Sequence, residues 1–338
     1  MLKKADKVAI VSPSSTVAGV FPWVFEQGLE RLRSHFHLEA VVMPHCLNTK
    51  ATQKDKAKDL HDAFSNPDYK AVFSTTGGID QIQLIQNLDP KIFKNNSKPF
   101  FGYSDNTHLC NFLYQNGVKS FYGGSILSQF AMQGQMARES IDSLNWALFK
   151  NQDWYSIQSP SYCIDEDHPW DDRKFLNIPR TQEPNEEGLI FEGNSTAEGV
   201  LWGGCLESLS DLLRVQERVP KDFSKSVLFL ETSEEIPTHE FVRRFMVSLG
   251  EGGILSAIRA LIVGRPKTWF FDNRMSSSDK KNYRDKQRKT ILSVLREYNR
   301  TVPVVMNLSI GHTDPQVLVP YGGTAKIDCI AKSLSFRF

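Results

Sequence analysis

The sequence predicts a doubly wound, mostly parallel α/β sheet followed by a second domain of mixed strands and helices. Three observations carry this. In the first 150 residues, short apolar runs alternate with helix-period segments through five cycles, the pattern of a parallel sheet with crossover helices. From Asn151 to about Asn194 the pattern breaks into a stretch rich in Pro, Asp, Glu, Trp and Tyr with no sustained period. A new set of strong apolar strands then begins. The expected organisation is an α/β domain over 1–150, a linker with a long loop over 151–194, and a second domain over 195–338. A chain of 338 residues is long enough for both to bury a core.

The elements follow in order. Val8 to Val11 is a short apolar run ending at Ser12-Pro13-Ser14-Ser15, which reads as a buried strand entering a loop. Val24 to Leu32 has helical spacing, Leu38 to Met43 is a second strand, Thr52 to Phe64 a charged helix and Ala71 to Ser74 a third strand. Gly77-Gly78 opens an expected helix through Ile82, Leu84 and Ile85. Phe100 and Phe101 end a strand before Ser104, with a helix from Asp105 to Gln115, a strand at Ser120 to Tyr122 and a helix from Arg138 to Phe149. In the second domain, Gly199 to Gly204 is a strand and tight turn, followed by a helix from Leu206 to Leu213. Ser226 to Glu231 is a strand ending in a carboxylate, Thr238 to Leu249 a helix, and Ala260 to Pro266 a strand. A polar insertion, Phe271 to Lys289, leads into a helix ending at Tyr298. Val302 to Leu308 is a strand running into Ser309 to Pro315, and Val317 to Phe338 reads as antiparallel strands around a Gly322-Gly323 turn.

Composition excludes several classes of function. The formal net charge of +1 argues against a nucleic-acid surface or a polybasic membrane anchor. Five scattered cysteines with no C-x-x-C spacing suit free thiols in a reducing compartment better than a disulfide framework or a zinc site. The N-terminus runs into a strand without a signal-peptide core, and no apolar run approaches membrane-spanning length, so a cytoplasmic location is expected.

The chemistry points to the carboxyl ends of the strands, where doubly wound sheets bind ligands. Ser12, Thr75-Thr76-Gly77-Gly78 and Ser104 all lie at such ends. Gly102-Tyr103-Ser104-Asp105-Asn106 places a serine on a tight strand-to-helix turn, the setting of a nucleophile elbow. The alternative is that Ser104 or Asp105 only caps the helix. A serine nucleophile needs a base and a group to orient it. Of eight histidines, His35, His37, His61, His168 and His239 lie in polar or helix-end settings, and His108 would point along the elbow helix. His312 follows an apolar strand beside Gly311, on a loop suited to carry a base. Glu231 ends an apolar strand, so it faces a cleft, ends the strand at the surface, or pairs with Arg265. Glu234 and Glu235 read as a solvated charge run or the approach to a helix. Gly77-Gly78 lets backbone N–H groups approach an oxyanion or a phosphate. Neither a dinucleotide fingerprint nor a Walker motif is present, and no His/Cys spacing indicates a metal.

Together, Gly102-Tyr103-Ser104-Asp105, Trp202-Gly203-Gly204-Cys205-Leu206, Phe229-Leu230-Glu231 and Gly311-His312-Thr313-Asp314-Pro315 resemble the LD-carboxypeptidase family of serine peptidases, which includes the microcin C immunity peptidases. The resemblance runs over nearly the whole chain and in order. It implies a flavodoxin-like N-terminal domain, a mixed C-terminal domain and an active site in the cleft between them. It also implies a triad of Ser104 as nucleophile, His312 as base and Glu231 as the orienting carboxylate. The oxyanion hole would use the N–H of Asp105 and one from Gly77 or Gly78, and Thr76 and Gly204 would line the substrate site. No cofactor or metal is implied, and family members are commonly homodimers.

Two branches are distinguishable. Housekeeping members release D-alanine from murein tetrapeptides and usually carry an Arg-Gly-Gly-Tyr-Gly-like stretch after the third strand, where this chain has Ser74-Thr75-Thr76-Gly77-Gly78-Ile79-Asp80. The Phe229 to Glu235 stretch and Pro169-Trp170-Asp171-Asp172 look more like the immunity branch, in which a loop tryptophan stacks on the nucleobase of an aminoacyl-nucleotide substrate. Trp170 is in a matching place, or else anchors its loop on the domain surface. Cys205 stands where relatives often have asparagine, Thr232 where many have aspartate, and the Phe271–Lys289 insertion is additional. The expected partner is a small peptide or peptidyl-nucleotide, with hydrolysis at its carboxyl end. The rival of another class is a non-catalytic binder of small molecules built on Gly77-Gly78 and the Trp170 loop.

Overall fold

A computed structural model describes residues 1–215 and 218–338. The first sheet has six strands, in the spatial order Val319–Tyr321, Ser120–Tyr122, Phe100–Gly102, Tyr69–Ser74, Lys7–Val11 and Glu39–Val42. The five N-terminal strands are parallel, in flavodoxin-like order, as the alternating pattern predicts. The sixth comes from near the end of the chain and pairs antiparallel with Ser120–Tyr122. The C-terminal segment therefore does not form a purely local meander: one of its strands completes the first sheet.

Cross-strand aromatics hold this sheet. Phe73 lies opposite Phe101, and Phe101 opposite Phe121, in adjacent strands. Their rings stack at 4.5 and 4.9 Å between centroids, and all three are fully buried. The flanking helices start where local chemistry dictates. Pro22 opens the helix Pro22–Phe36 at a position where its missing N–H leaves no bond unmade. Thr52 and Asp55 form a reciprocal capping box at the start of Gln53–Ser65.

The expected helix after Gly77-Gly78 is replaced by two short 3-10 turns, Gln81–Gln83 and Ile85–Asn87, before a helix at Pro90–Asn95. The reason is that Gln81 is committed elsewhere. Its backbone N–H donates to Asp105, its side-chain Nε2 donates to Asn106 Oδ1, and its side-chain Oε1 accepts from the Leu109 N–H.

The second sheet has eight strands, in the order Tyr155–Ser156, Ser333–Arg337, Thr324–Asp328, Thr196–Cys205, Ser226–Glu231, Ala260–Gly264, Val304–Leu308 and Ile190–Glu192. Its central four strands are parallel. The residues expected as linker supply both edge strands and a small hairpin of Tyr162–Cys163 with Glu183–Pro184. Buried ion pairs fasten this segment: Arg180 with Asp167 and Asp314, Lys267 with Asp167, and Arg284 with Asp165. The 271–289 insertion is mostly helix, since Ser276 caps a helix running Ser277–Tyr298. That helix packs on His239–Glu251, with the Tyr298 ring closed over Gly250.

Candidate active site

Ser104 lies one residue beyond Tyr103 after the strand Phe100–Gly102, and opens a 3-10 turn that runs into the helix Thr107–Gln115. Its φ is 64°, in the left-handed region that costs a non-glycine residue on the order of 1–3 kcal/mol. From Phe100 to Cys110 it is the one residue not buried. Strain at an accessible serine on a strand-to-helix turn is the geometry of a nucleophile elbow, which a plain helix cap does not require.

Surrounding side chains over-determine this turn. The Asn106 amide donates to the Tyr103 and Thr76 carbonyls at 3.0 and 3.1 Å and to the Ser74 hydroxyl at 3.2 Å. Asn106 thus locks the elbow to the loop holding Gly77, which explains asparagine where a glycine is common. The Asp105 carboxylate accepts from the Ser14 hydroxyl and from the Gln81 N–H, and burial raises its pKa. Gly77 approaches closely: a Cβ there would lie 2.8 Å from Ser104 Cβ, 2.9 Å from Ser104 Oγ and 3.3 Å from the Asp105 nitrogen. Gly78 instead abuts Ser14 and Ser15, so Gly77 is the member of the pair that faces the serine. Thr76 is half-buried and its carbonyl accepts from Ser74 and Asn106. Gly204 lies against Thr107 at the foot of the elbow, where Thr107 Oγ1 donates to the Ser104 carbonyl and accepts from the Cys205 N–H.

Glu231 ends the strand Ser226–Glu231 and is buried. One carboxylate oxygen lies 2.8 Å from His312 Nδ1, and the other accepts the Tyr122 hydroxyl at 2.6 Å. Tyr122 Oη in turn accepts the backbone N–H of Ser104 at 3.0 Å, so one phenol links the elbow to the carboxylate. Gly311, at φ 74°, packs directly on the Glu231 carboxylate, where a Cβ would overlap it. The Gln316 amide donates to the Gly311 carbonyl and fixes the loop carrying His312. Arg265 does not pair with Glu231; it donates to Cys163 and Asn185.

Burial alone would push the His312 imidazole down, but the carboxylates of Glu231 and Glu234 outweigh it and raise the pKa to about 9. Glu234, expected as part of a solvated charge run, lies 3.1 Å from His312 Nε2. His108, by contrast, is buried beside Asp105 and pushed down to about 4 by burial. Among the described residues, Cys205, Glu231 and His312 also bring their potential ligand atoms within 4.8 Å of one another. Trp170 is half-buried: its carbonyl accepts the Trp23 indole N–H at 2.8 Å and its ring meets Phe21 edge-on at 5.8 Å.

A strained hydroxyl, an imidazole held by a carboxylate, and backbone N–H groups beside a glycine are the parts that nucleophilic acyl transfer needs. Comparison with known proteins identifies the family. Residues 8–123 match the LD-carboxypeptidase N-terminal domain and residues 198–327 the LD-carboxypeptidase C-terminal domain. The chain belongs to the LD-carboxypeptidase family. It is 29% identical to the protein named "Putative carboxypeptidase YocD" of Bacillus subtilis, over 98% of this chain and 95% of that one. To the microcin C7 self-immunity protein MccF of Escherichia coli it is 26% identical, over 84% of this chain and 78% of MccF. An MccF-like protein from Streptococcus pneumoniae, solved in complex with AMP, superposes with a TM-score of 0.86 at 26% identity, covering 99% of both chains. Family membership was legible from the motifs. Tyr122, Asn106, Gln81 and Glu234 were not, because each acts through a tertiary contact with no sequence spacing of its own.

Proposed function

We propose that this LD-carboxypeptidase family member is a serine-type hydrolase that cuts a peptide or amide bond at the carboxyl end of a small modified peptide, with aminoacyl- or peptidyl-nucleotide amides as its preferred class. The observation that carries the reading is the connection from Ser104, strained and accessible, through Tyr122 to the Glu231 carboxylate that holds His312. Ser104 Oγ attacks the scissile carbonyl carbon while His312 Nε2 takes its proton, and Glu231 stabilises the imidazolium. The N–H groups of Asp105 and Gly77 receive the oxyanion. The imidazolium then protonates the leaving amine, and water, deprotonated by His312, releases the acyl group from Ser104. The incoming substrate displaces Glu234 from Nε2, freeing the nitrogen for proton transfer.

The preference for a nucleotide rests on Trp170. Phe21 and Trp23 brace it and leave it partly exposed, and stacking on a base is a common use of such a ring. The AMP held by the pneumococcal relative supports the same class. A paired mass-spectrometric assay tests this: one arm offers an aspartyl-adenylate sulfamoyl analogue, the other a murein tetrapeptide ending in D-alanine. Cleavage of the nucleotide analogue, lost in Ser104→Ala, is the expected result. Release of D-alanine alone would move the protein to the cell-wall branch and make Trp170 a loop anchor. Turnover unchanged in Ser104→Ala would overturn the mechanism.

A further inference from the structure

We propose that the floor of this site is a thiophilic divalent-metal site, made by Cys205, Glu231 and His312, through which Zn²⁺ or Cd²⁺ switches the enzyme off. Cys205 and Glu231 end two adjacent strands of the second sheet, Thr196–Cys205 and Ser226–Glu231, and His312 lies on the loop after Val304–Leu308, two strands beyond Ser226–Glu231, which is why no sequence spacing announces them. Cys205 pairs directly with Glu231 in the parallel register. A thiol, a carboxylate and an imidazole thus converge with ligand atoms within 4.8 Å of one another.

This is the donor set and count of an open zinc site, three protein ligands with a fourth position left for water. Metal–sulfur and metal–nitrogen bonds of about 2.3 and 2.1 Å place tetrahedral ligands about 3.6 Å apart, so closing on an ion needs side-chain movements of about 1 Å. Sulfur is the discriminating ligand. Thiolate favours Zn²⁺ and Cd²⁺ over Mg²⁺ or Ca²⁺, which take oxygen. The Cys205 thiol now donates to Glu207 at 3.2 Å; on binding, its proton leaves to solvent and the metal takes the sulfur. Glu207 is itself fixed by the Ser233 N–H and hydroxyl, so the group beside the sulfur is rigid.

The consequence for activity rests on the hydrolase reading above, because a metal that engages Glu231 and His312 removes the pair that activates Ser104. The binding itself does not depend on that reading, and the two are tested separately. Cd²⁺ titration followed by the ultraviolet thiolate-to-metal charge-transfer band should show one site per chain in the native protein. The band should vanish in Cys205→Ser and persist in Cys163→Ser, a second buried cysteine outside the cluster. His312→Ala should keep the sulfur but weaken binding at least tenfold. In parallel, labelling of Ser104 by a fluorophosphonate is measured with and without Zn²⁺, each variant against itself. Zn²⁺ should suppress labelling at least tenfold in the native protein, reversibly with chelator, and leave the Cys205→Ser ratio near one. A native protein with no charge-transfer band, or a band that survives Cys205→Ser, overturns the site. Absence of labelling without metal would instead overturn the serine-hydrolase reading, leaving the Cd²⁺ titration to decide the site.

Discussion

The hydroxyl of Tyr122 donates to Glu231 at 2.6 Å and accepts the backbone N–H of Ser104 at 3.0 Å, so it positions both ends of the proposed triad. The phenol is fully buried and its pKa is raised well above the usual value, by burial first and the Glu231 charge second, which keeps the proton on oxygen. Tyr122→Phe removes both bonds without changing the ring. Hydrogen bonds to charged groups contribute about 1.5–3 kcal/mol, and about 1.4 kcal/mol is a decade of rate. The expected outcome is a kcat about ten- to a hundredfold lower with KM nearly unchanged. Steady-state kinetics on the cleaved substrate checks it, and a loss confined to KM would rule out the positioning role.

Gly77 is expected to be intolerant of any side chain for a reason specific to catalysis. An added Cβ would stand 2.8 Å from Ser104 Cβ and 2.9 Å from its Oγ, intruding where the oxyanion is proposed to form. Loss of one oxyanion donor typically costs about 10²–10³ in kcat. Gly77→Ala should therefore fall by about a hundredfold while retaining its circular dichroism spectrum. A Gly77→Ala protein with native kcat would place the oxyanion hole elsewhere.

Much of this arrangement was legible in the sequence, and the part that was not has a physical cause. Alternation of short apolar runs with helical periods gives the parallel order of the first five strands, because crossover helices leave few other solutions. Ser104, Glu231 and His312 could be singled out because each interrupts or follows an apolar strand. Pairing between distant segments is different. Nothing local says that Val319–Tyr321 returns to the first sheet, or that Arg180 finds Asp314. Nor could the Gly77-Gly78 segment reveal its 3-10 turns, since apolar spacing at Ile82, Leu84 and Ile85 fits a helix and the deciding bonds of Gln81 reach across to the elbow. Glu234 looked like solvated charge until the fold put His312 beside it.

Stability of the N-terminal sheet should depend heavily on Phe101, whose ring lies between those of Phe73 and Phe121. Truncating a fully buried phenylalanine removes its transfer free energy and leaves a cavity, together about 3–5 kcal/mol. Phe101→Ala also undermines the strand that delivers Ser104. Its midpoint in urea is expected to drop accordingly, against a near-neutral change for Lys54→Ala on the exposed face of Gln53–Ser65. Equal midpoints for Phe101→Ala and the native protein would contradict the packing argument.

The pH dependence follows from His312 and has a definite sign. Its pKa is raised from the usual 6.5 to about 9, because Glu231, then Glu234 and Glu207, together outweigh the opposing effect of burial. The imidazole is therefore charged at neutral pH in the free protein, and a base must be neutral to accept the Ser104 proton. Accordingly, kcat/KM should climb with pH along a limb centred near 9. The same shift makes a contribution to folding stability that is fully present below 6.5 and lost as pH rises through about 9. Glu234→Gln removes one of the three carboxylates that raise the His312 pKa while leaving the Glu231 bond in place. The limb should then move to lower pH, raising kcat/KM at neutral pH, and the stability lost on going to alkaline pH should shrink in step. A pH profile of kcat/KM, read beside the imidazole titration by NMR, checks both. If Glu234→Gln leaves the midpoint where it was, the ion pair at 3.1 Å does not govern the base.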